Sequence, residues 1–207
     1  DIMDWSAIVA SFITLTGTVV AAIIGRYVIN KREARKCPIA SDTENSENVY
    51  VSLEYLMNES NSDRVYIMQF HNGGHYISGK SQQKFSCTHE ICAKGISREC
   101  ELSQNHLVSN YNLYIKSLLR DGSFSHINID TIKDKSFKNI LHATGVRSIY
   151  NVPLKTLEGK LIGVLGIDYV KDPPKWGIFD KFKNIKTEKE LHEFMRRQAR
   201  LITGYLI

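Results

Sequence analysis

The sequence predicts an α+β protein: an N-terminal transmembrane helix, then a soluble domain in which an antiparallel sheet carries flanking helices. Three observations lead there. Residues 6–25, SAIVASFITLTGTVVAAIIG, contain no charged side chain. Two strand-like runs, 146–154 and 160–170, are joined by the short turn Leu157-Glu158-Gly159, a hairpin that demands antiparallel pairing. Helical patterns stand at both ends of the soluble part, over 46–59 and from Thr187 on, which puts two terminal helices on one side of the sheet.

The uncharged run comes first. Twenty residues at about 1.5 Å each match a hydrocarbon core of roughly 30 Å. Trp5 and Tyr27 flank it where interfacial aromatics belong. The acidic start DIMDW is unlike a signal peptide, which opens on basic residues. Arg26, Lys31, Arg32, Arg35 and Lys36 follow the run against Glu33 alone, and none precedes it, so the C-terminal part is expected in the cytoplasm. The expected order is an extracytoplasmic stub (1–5), a transmembrane helix (6–29), a basic juxtamembrane segment and linker (30–45) and a cytoplasmic domain (46–207). Gly17, Ala21 and Gly25 share one helix face, a spacing that lets two such helices approach closely and implies a homodimer.

The basic flank changes the meaning of the net charge. The chain carries 27 basic and 22 acidic residues, +5 in all. The basic flank holds five positives and one negative, and Asp1 and Asp4 are negative. Residues 37–207 keep 22 positives and 19 negatives, +3. That is weak support for a polyanion partner, and nucleic-acid binding is not expected. The best basic-aromatic cluster, Lys171, Lys175, Lys181, Lys183 and Lys186 with Trp176 and Phe179, reads as a solvated loop.

Within the domain, Val49, Leu53, Leu56 and Met57 give a first amphipathic helix over 46–59, preceded by a polar linker over 37–47 containing Pro38. Residues 65–70 read as a strand ended by the turn His71-Asn72-Gly73-Gly74, and 84–93 as a second strand. Leu107, Tyr111, Ile115 and Leu118 predict a helix over 106–119, closed by Asp121-Gly122. A short strand over 124–129 follows, then a helix over 131–143 with Thr131 and Asp134 at its start and Gly145 past its end. After the hairpin, Thr187 and Glu190 form a capping box for the last helix.

Residues 145–170, GVRSIYNVPLKTLEGKLIGVLGIDYV, resemble the closing hairpin of GAF domains: a glycine, a serine, a "vPL" step, a glycine turn, then "iGvL". The helix over 131–143, the segment FSHINID and the helix at each domain end fit the same pattern, so the resemblance spans 46–207. It implies a ligand-binding or regulatory sensor module, dimeric through its terminal helices. The stretch QFHNGGHYISGK…KFSCTHE is also similar to uncharacterised phage and bacterial membrane proteins. The Asn-Lys…Phe…Asp-Glu signature of cyclic-nucleotide-binding GAF domains is not found, and Cys87 and His89 lack the adjacent Cys-His pairing of bilin binders.

No GxSxG, HExxH or Walker-type loop is present, which argues against the common hydrolases. The densest polar group is His71, His75, Cys87, His89, Cys92 and Cys100. Cys87, His89 and Cys92 have zinc-ligand chemistry, but strand alternation sends Cys87 and His89 to one face and Cys92 to the other. Cys87, Cys92 and Cys100 are also compared with the three pocket cysteines of the free methionine-R-sulfoxide reductases. Their spacing is shorter, and a nucleophilic thiol needs a neighbouring cation, for which His89 is the candidate. The loop His71-Asn72-Gly73-Gly74-His75 is read as one wall of a pocket. In the likened fold the pocket lies over the sheet beneath the middle helices, and its expected ligand-binding residues are His71, Asn72, His75, Cys87, His89, Tyr111, Ser148 and Tyr150. Asp168 is expected to cap a strand end rather than face the pocket. No cofactor is specified.

The functional expectation is a single-pass inner-membrane sensory module that binds a small molecule or recruits a protein partner. A non-sensing membrane scaffold and a thiol redox enzyme are the alternatives. A polar-lined cavity over the sheet would favour the sensor, and a closed apolar interior the scaffold.

Overall fold

The computed structural model describes residues 5–33, 37–172 and 185–207, with side chains at 14–28, 37–172 and 185–207. The chain divides into two units, Asp1–Glu44 and Asn45–Ile207. Helix α1, Trp5–Glu33, contains the whole uncharged run. Its described apolar side chains, among them Leu15, Val19, Ile23 and Ile24, are exposed. Among the described residues no helix is long and apolar enough to cross a membrane. The stub 1–4, the side chains of Lys31, Arg32, Arg35 and Lys36, and the basic-aromatic residues Lys175 to Lys183 lie outside the described residues.

Helix α2 runs Pro38–Ser60. The linker expected over 37–47 is therefore helical from its proline, because Pro is tolerated in the first turn, where its missing N–H has no partner to lose. Six strands follow: β1 (Arg64–His75), β2 (Ser81–Cys92), β3 (His106–Leu107), β4 (Phe124–His126), β5 (Ser148–Lys155) and β6 (Leu161–Tyr169). They form one sheet in the order β3-β2-β1-β6-β5-β4, with every neighbouring pair antiparallel. Helices α3 (Asn112–Asp121), α4 (Lys135–Ala143) and α5 (Glu188–Tyr205) complete the domain.

Alternation along the strands separates two cores. On one face, Val65, Ile67, Tyr150, Val152, Leu165 and Ile167 pack against Leu53 and Leu56 of α2 and Leu191, Met195 and Ile202 of α5. On the other, Phe85, Ile149 and Val164 pack against Tyr114, Ile115 and Leu118 of α3 and Phe137 and Leu141 of α4. The terminal helices share one face, as the sequence pattern implies, and the middle helices cover the other.

Three boundaries differ from the sequence reading. β1 continues through the expected turn to His75, because the Gly73-Gly74 pair sits in an irregular pairing between Asn72 and His75. Gly74 has φ +104°, a left-handed value that glycine tolerates, and its N–H donates to Asn72 Oδ1 at 3.1 Å. His106 and Leu107 pair with β2, and a 3-10 turn over Val108–Tyr111 precedes α3, so the helix expected from 106 starts later. The cap of α4 is Asp134, whose side chain accepts from the Phe137 N–H, while Thr131 ends a separate 3-10 turn. The Thr187–Glu190 capping box is formed as its spacing implies.

Candidate functional site: a ring-walled cleft over the sheet

The face of the sheet toward α3 and α4 is not filled completely. A cleft of about 60 Å³ remains between them, room for a handful of water-sized volumes and far below the roughly 300–1,000 Å³ of drug-sized pockets. Its walls are Phe85 from β2, Tyr111 from the 3-10 turn, Tyr114 from α3 and Phe137 from α4. Tyr114 stacks on Phe137 with ring centroids 4.0 Å apart. Phe85 meets Tyr111 edge to face at 5.4 Å, and Tyr111 meets Phe137 in the same way at 6.1 Å. Asp134 fixes two of these walls at once: its carboxylate accepts from the Phe137 N–H at 3.2 Å and the Tyr114 N–H at 3.3 Å.

The floor is charged and buried. Arg64 of β1, 2% exposed, donates from Nη1 to Asp168 Oδ2 of β6 at 3.2 Å and from Nη2 to the Ser97 carbonyl at 3.1 Å. Its Nε stands 3.5 Å from Glu90 Oε1 of β2, and Nη2 stands 3.8 Å from Glu99. Glu90 also accepts from the Glu99 and Cys100 N–H groups, which ties the β2–β3 loop to the floor. Tyr66 Oη donates to Asn151 Oδ1 at 3.0 Å and lies 3.3 Å from Asp168 Oδ1, while Asn151 Nδ2 donates to Tyr114 Oη at 2.8 Å. Strand pairing explains this convergence, since Arg64 lies opposite both Asp168 and Cys92, and Tyr66 opposite Glu90 and Gly166.

Burial shapes the protonation of these groups. It pushes the Asp168 carboxyl up to about 7, against the pull of Arg64 and Tyr66 and with the help of Glu90. Burial also works against the Arg64 charge, but Asp168 and Glu90 outweigh it and hold the guanidinium above its ordinary value. The Tyr66 phenol is raised by burial and then by Asp168. Burial lowers His106, whose ring nitrogen lies 3.2 Å from Tyr111 Oη at the β3 end of the cleft.

Of the eight expected ligand-binding residues, Cys87 and Tyr111 line this cleft. Ser148 and Tyr150 lie one residue out of phase. Ile149 and Asn151 take the cleft side of β5, Tyr150 packs in the α2–α5 core, and Ser148 donates to the Ile127 carbonyl at 2.6 Å. His89 is also on the α2 side, 5.3 Å from the Tyr50 ring. The cause is a β-bulge: pairing steps from Ile67–His89 to Met68–Cys87, leaving Thr88 between, so Cys87 and His89 occupy opposite faces. The same bulge puts Cys92, opposite Arg64, on the face of Cys87, contrary to simple alternation. His71 bonds Ser86 Oγ at 2.9 Å, and Asn72 and His75 are exposed near the β1–β2 turn, so none of the three lines the cleft. Asp168 faces the cleft rather than capping a strand.

Among the described residues no group of three His, Cys, Asp or Glu side chains is gathered to hold a metal. Burial, followed by Cys100, pushes the Cys87 thiol far up. Burial and Glu90 raise Cys92 as well. Both shifts oppose thiolate formation.

No protein-family model and no curated protein matches the sequence, so the likeness to phage and bacterial membrane proteins rests on the sequence stretch alone. Solved structures do match. One is a GAF3 domain from Synechocystis sp. PCC6803 in its photoproduct state, at TM-score 0.56 and 14% identity over 78% of this chain and 92% of that one. Another is the PixJ GAF domain of Thermosynechococcus elongatus in its blue-light-absorbing form, at TM-score 0.57 and 15% identity over 79% and 88%. The fold is GAF-like. A domain of a putative two-component sensor histidine kinase protein from Sinorhizobium meliloti 1021 also aligns, at TM-score 0.50 and 17% identity over 77% and 90%. In this GAF-like domain Arg64 and Glu90 of the charged floor are what the sequence reading missed, while Asp168 was noticed but given a capping role. Arg64, Glu90 and Asp168 are charges inside strands that are otherwise apolar on that face, and such positions were the available signal.

Proposed function

We infer that this protein is a membrane-anchored sensory module whose GAF-like domain binds a small molecule in the cleft over the sheet. The observation that carries the reading is the cleft itself, walled by rings and floored by buried, partnered polar groups. Such convergence of polar groups in an apolar recess is the general signature of a ligand site. The scaffold alternative called for a closed apolar interior, and the raised Cys87 and Cys92 thiols weigh against a redox enzyme. The GAF-like neighbours come from light-absorbing proteins and a sensor-kinase protein, which agrees with a sensory role.

Anchoring is proposed from the uncharged run 6–25, the basic residues Arg26, Lys31, Arg32, Arg35 and Lys36 after it, and the exposed apolar side chains of α1. The domain then faces the cytoplasm from the inner membrane, as a homodimer through Gly17, Ala21 and Gly25. Native mass spectrometry of the full chain released from detergent tests the ligand reading. A small molecule retained by the protein and lost from a Tyr114→Ala, Phe137→Ala double variant supports it. Absence of any ligand-dependent mass or stability change across a broad metabolite panel overturns it.

A further inference from the structure

We propose that the cleft takes a small organic cation, a methylated ammonium head of a handful of heavy atoms, held against the aromatic walls above a floor of surplus negative charge. This rests on the ligand-binding reading above and names the class of ligand for the same cleft.

The floor carries a surplus of negative charge. Arg64 supplies +1, while Glu90, Glu99 and Asp168 supply up to −3, leaving −2 with every carboxyl ionised and −1 with Asp168 protonated. Arg98 also reaches Glu90, at 3.7 Å, but its side chain is 68% exposed and its charge is largely screened by water. An anion entering the cleft meets this surplus directly. A cation offsets it, in a site where low polarity makes the offset count.

Arg64 Nη1 and Nη2 donate to Asp168 and the Ser97 carbonyl and Tyr66 Oη donates to Asn151, while Arg64 Nε, 3.5 Å from Glu90 Oε1, makes no hydrogen bond. Tyr114 Oη accepts from Asn151. The floor thus offers an acidic surface to an incoming group. A methylated ammonium suits this surface, because it brings positive charge without demanding hydrogen bonds on every side.

The walls are aromatic. Phe85, Tyr111, Tyr114 and Phe137 meet at steep or stacked angles around a space of about 60 Å³. Ring faces carry negative potential and attract a desolvated cation, and all four rings line the cleft, with Tyr114 and Phe137 each covering one face of the other. The volume fits a compact head group rather than an extended ligand.

The test uses the full chain in dodecyl maltoside, titrated calorimetrically at pH 8 and fixed ionic strength with choline and with its neutral isostere 3,3-dimethylbutan-1-ol. Choline is expected to bind at least tenfold more tightly than the alcohol. Glu99→Gln, at the edge of the floor, is expected to weaken choline about fivefold and leave the alcohol unchanged. Tyr111→Leu is a second variant, expected to weaken choline more than the alcohol. Equal affinity for the two probes overturns the cation class while leaving small-molecule binding standing. Binding of neither overturns it too, and the mass-spectrometric test then decides the broader reading by itself.

Discussion

Asp168 stands in β6 beside two core residues, Ile167 and Tyr169, and burial raises its carboxyl pKa to about 7 from an ordinary 3.8. The folded state therefore keeps this proton over a range where the unfolded chain has lost it. The resulting stabilisation is complete below about pH 4 and is lost as pH rises through about 7. His89 and His106, lowered by burial, work the other way below their ordinary 6.5. A difference measurement separates them: wild type minus Asp168→Asn, in melting temperature from pH 4.5 to 8. The wild type is expected to lose stability relative to the variant as pH rises. The loss is on the order of a few kcal/mol, since each tenfold change in proton affinity is worth about 1.4 kcal/mol. A flat difference sinks the assignment. The same proton bears on the ligand. Arg64 and Tyr66 from β1, Glu90 from β2 and Tyr114 from α3 all bear on this carboxyl. A bound cation favours its ionised form, so choline affinity is expected to rise from pH 6 to 8 in wild type and to vary less in Asp168→Asn. Gly166 lies directly beneath, where an added Cβ would collide with the Tyr66 ring and Asn151 Oδ1. Gly166→Ala is expected to cost about 1–3 kcal/mol in chemical denaturation and to break the Tyr66–Asn151–Tyr114 chain.

The elements show which parts of the site are written locally. Helix ends were legible because their signals lie within a few residues: Thr187 with Glu190, and Gly122 at φ +68° after α3. The β5–β6 hairpin was legible for the same reason. The floor was not, because it joins Arg64 to Asp168 across 104 positions and depends on which strands become neighbours. The bulge at Thr88 carries no residue signature, yet it decides that Cys87 faces the rings and His89 faces Tyr50. Glycines misled at β1, where a turn-like pair instead permits an irregular stretch of strand. Asp134 is where element and site meet, since one carboxylate caps α4 and holds the first turn of α3. Asp134→Ala is expected to lower stability by about 1–2 kcal/mol, the usual loss for a helix cap. Because it loosens two cleft walls, it is also expected to raise the choline Kd several-fold in the same preparation. A loss of stability with unchanged affinity would separate the cap from the site.

At the scale of the whole molecule, the chain pairs a domain with its own two cores and a helix whose described apolar side chains are exposed. Leu15, Val19, Val20, Ile23 and Ile24 lie open on α1, and beyond the helix's own backbone no described atom comes within 4 Å of a Cβ placed on Gly17 or Gly25. A surface of this kind is stable when lipid or a second helix covers it, and small residues four apart let the second helix come close. Association leaves a readable trace at Cys37, an exposed free thiol at the start of α2, just past the basic flank. If two chains associate through Gly17, Ala21 and Gly25, their Cys37 thiols are brought near each other. Mild copper-phenanthroline oxidation of intact membranes is then expected to give a reducible dimer, absent in Cys37→Ser and strongly reduced in Gly17→Leu, Gly25→Leu. The wild-type chain is expected in the carbonate-resistant pellet and the double-leucine variant with it, since added leucine only strengthens insertion. A chain extracted by carbonate sinks the anchor. A cross-link that survives the two leucines moves the dimer contact away from the small-residue face, to the terminal helices α2 and α5 of the domain.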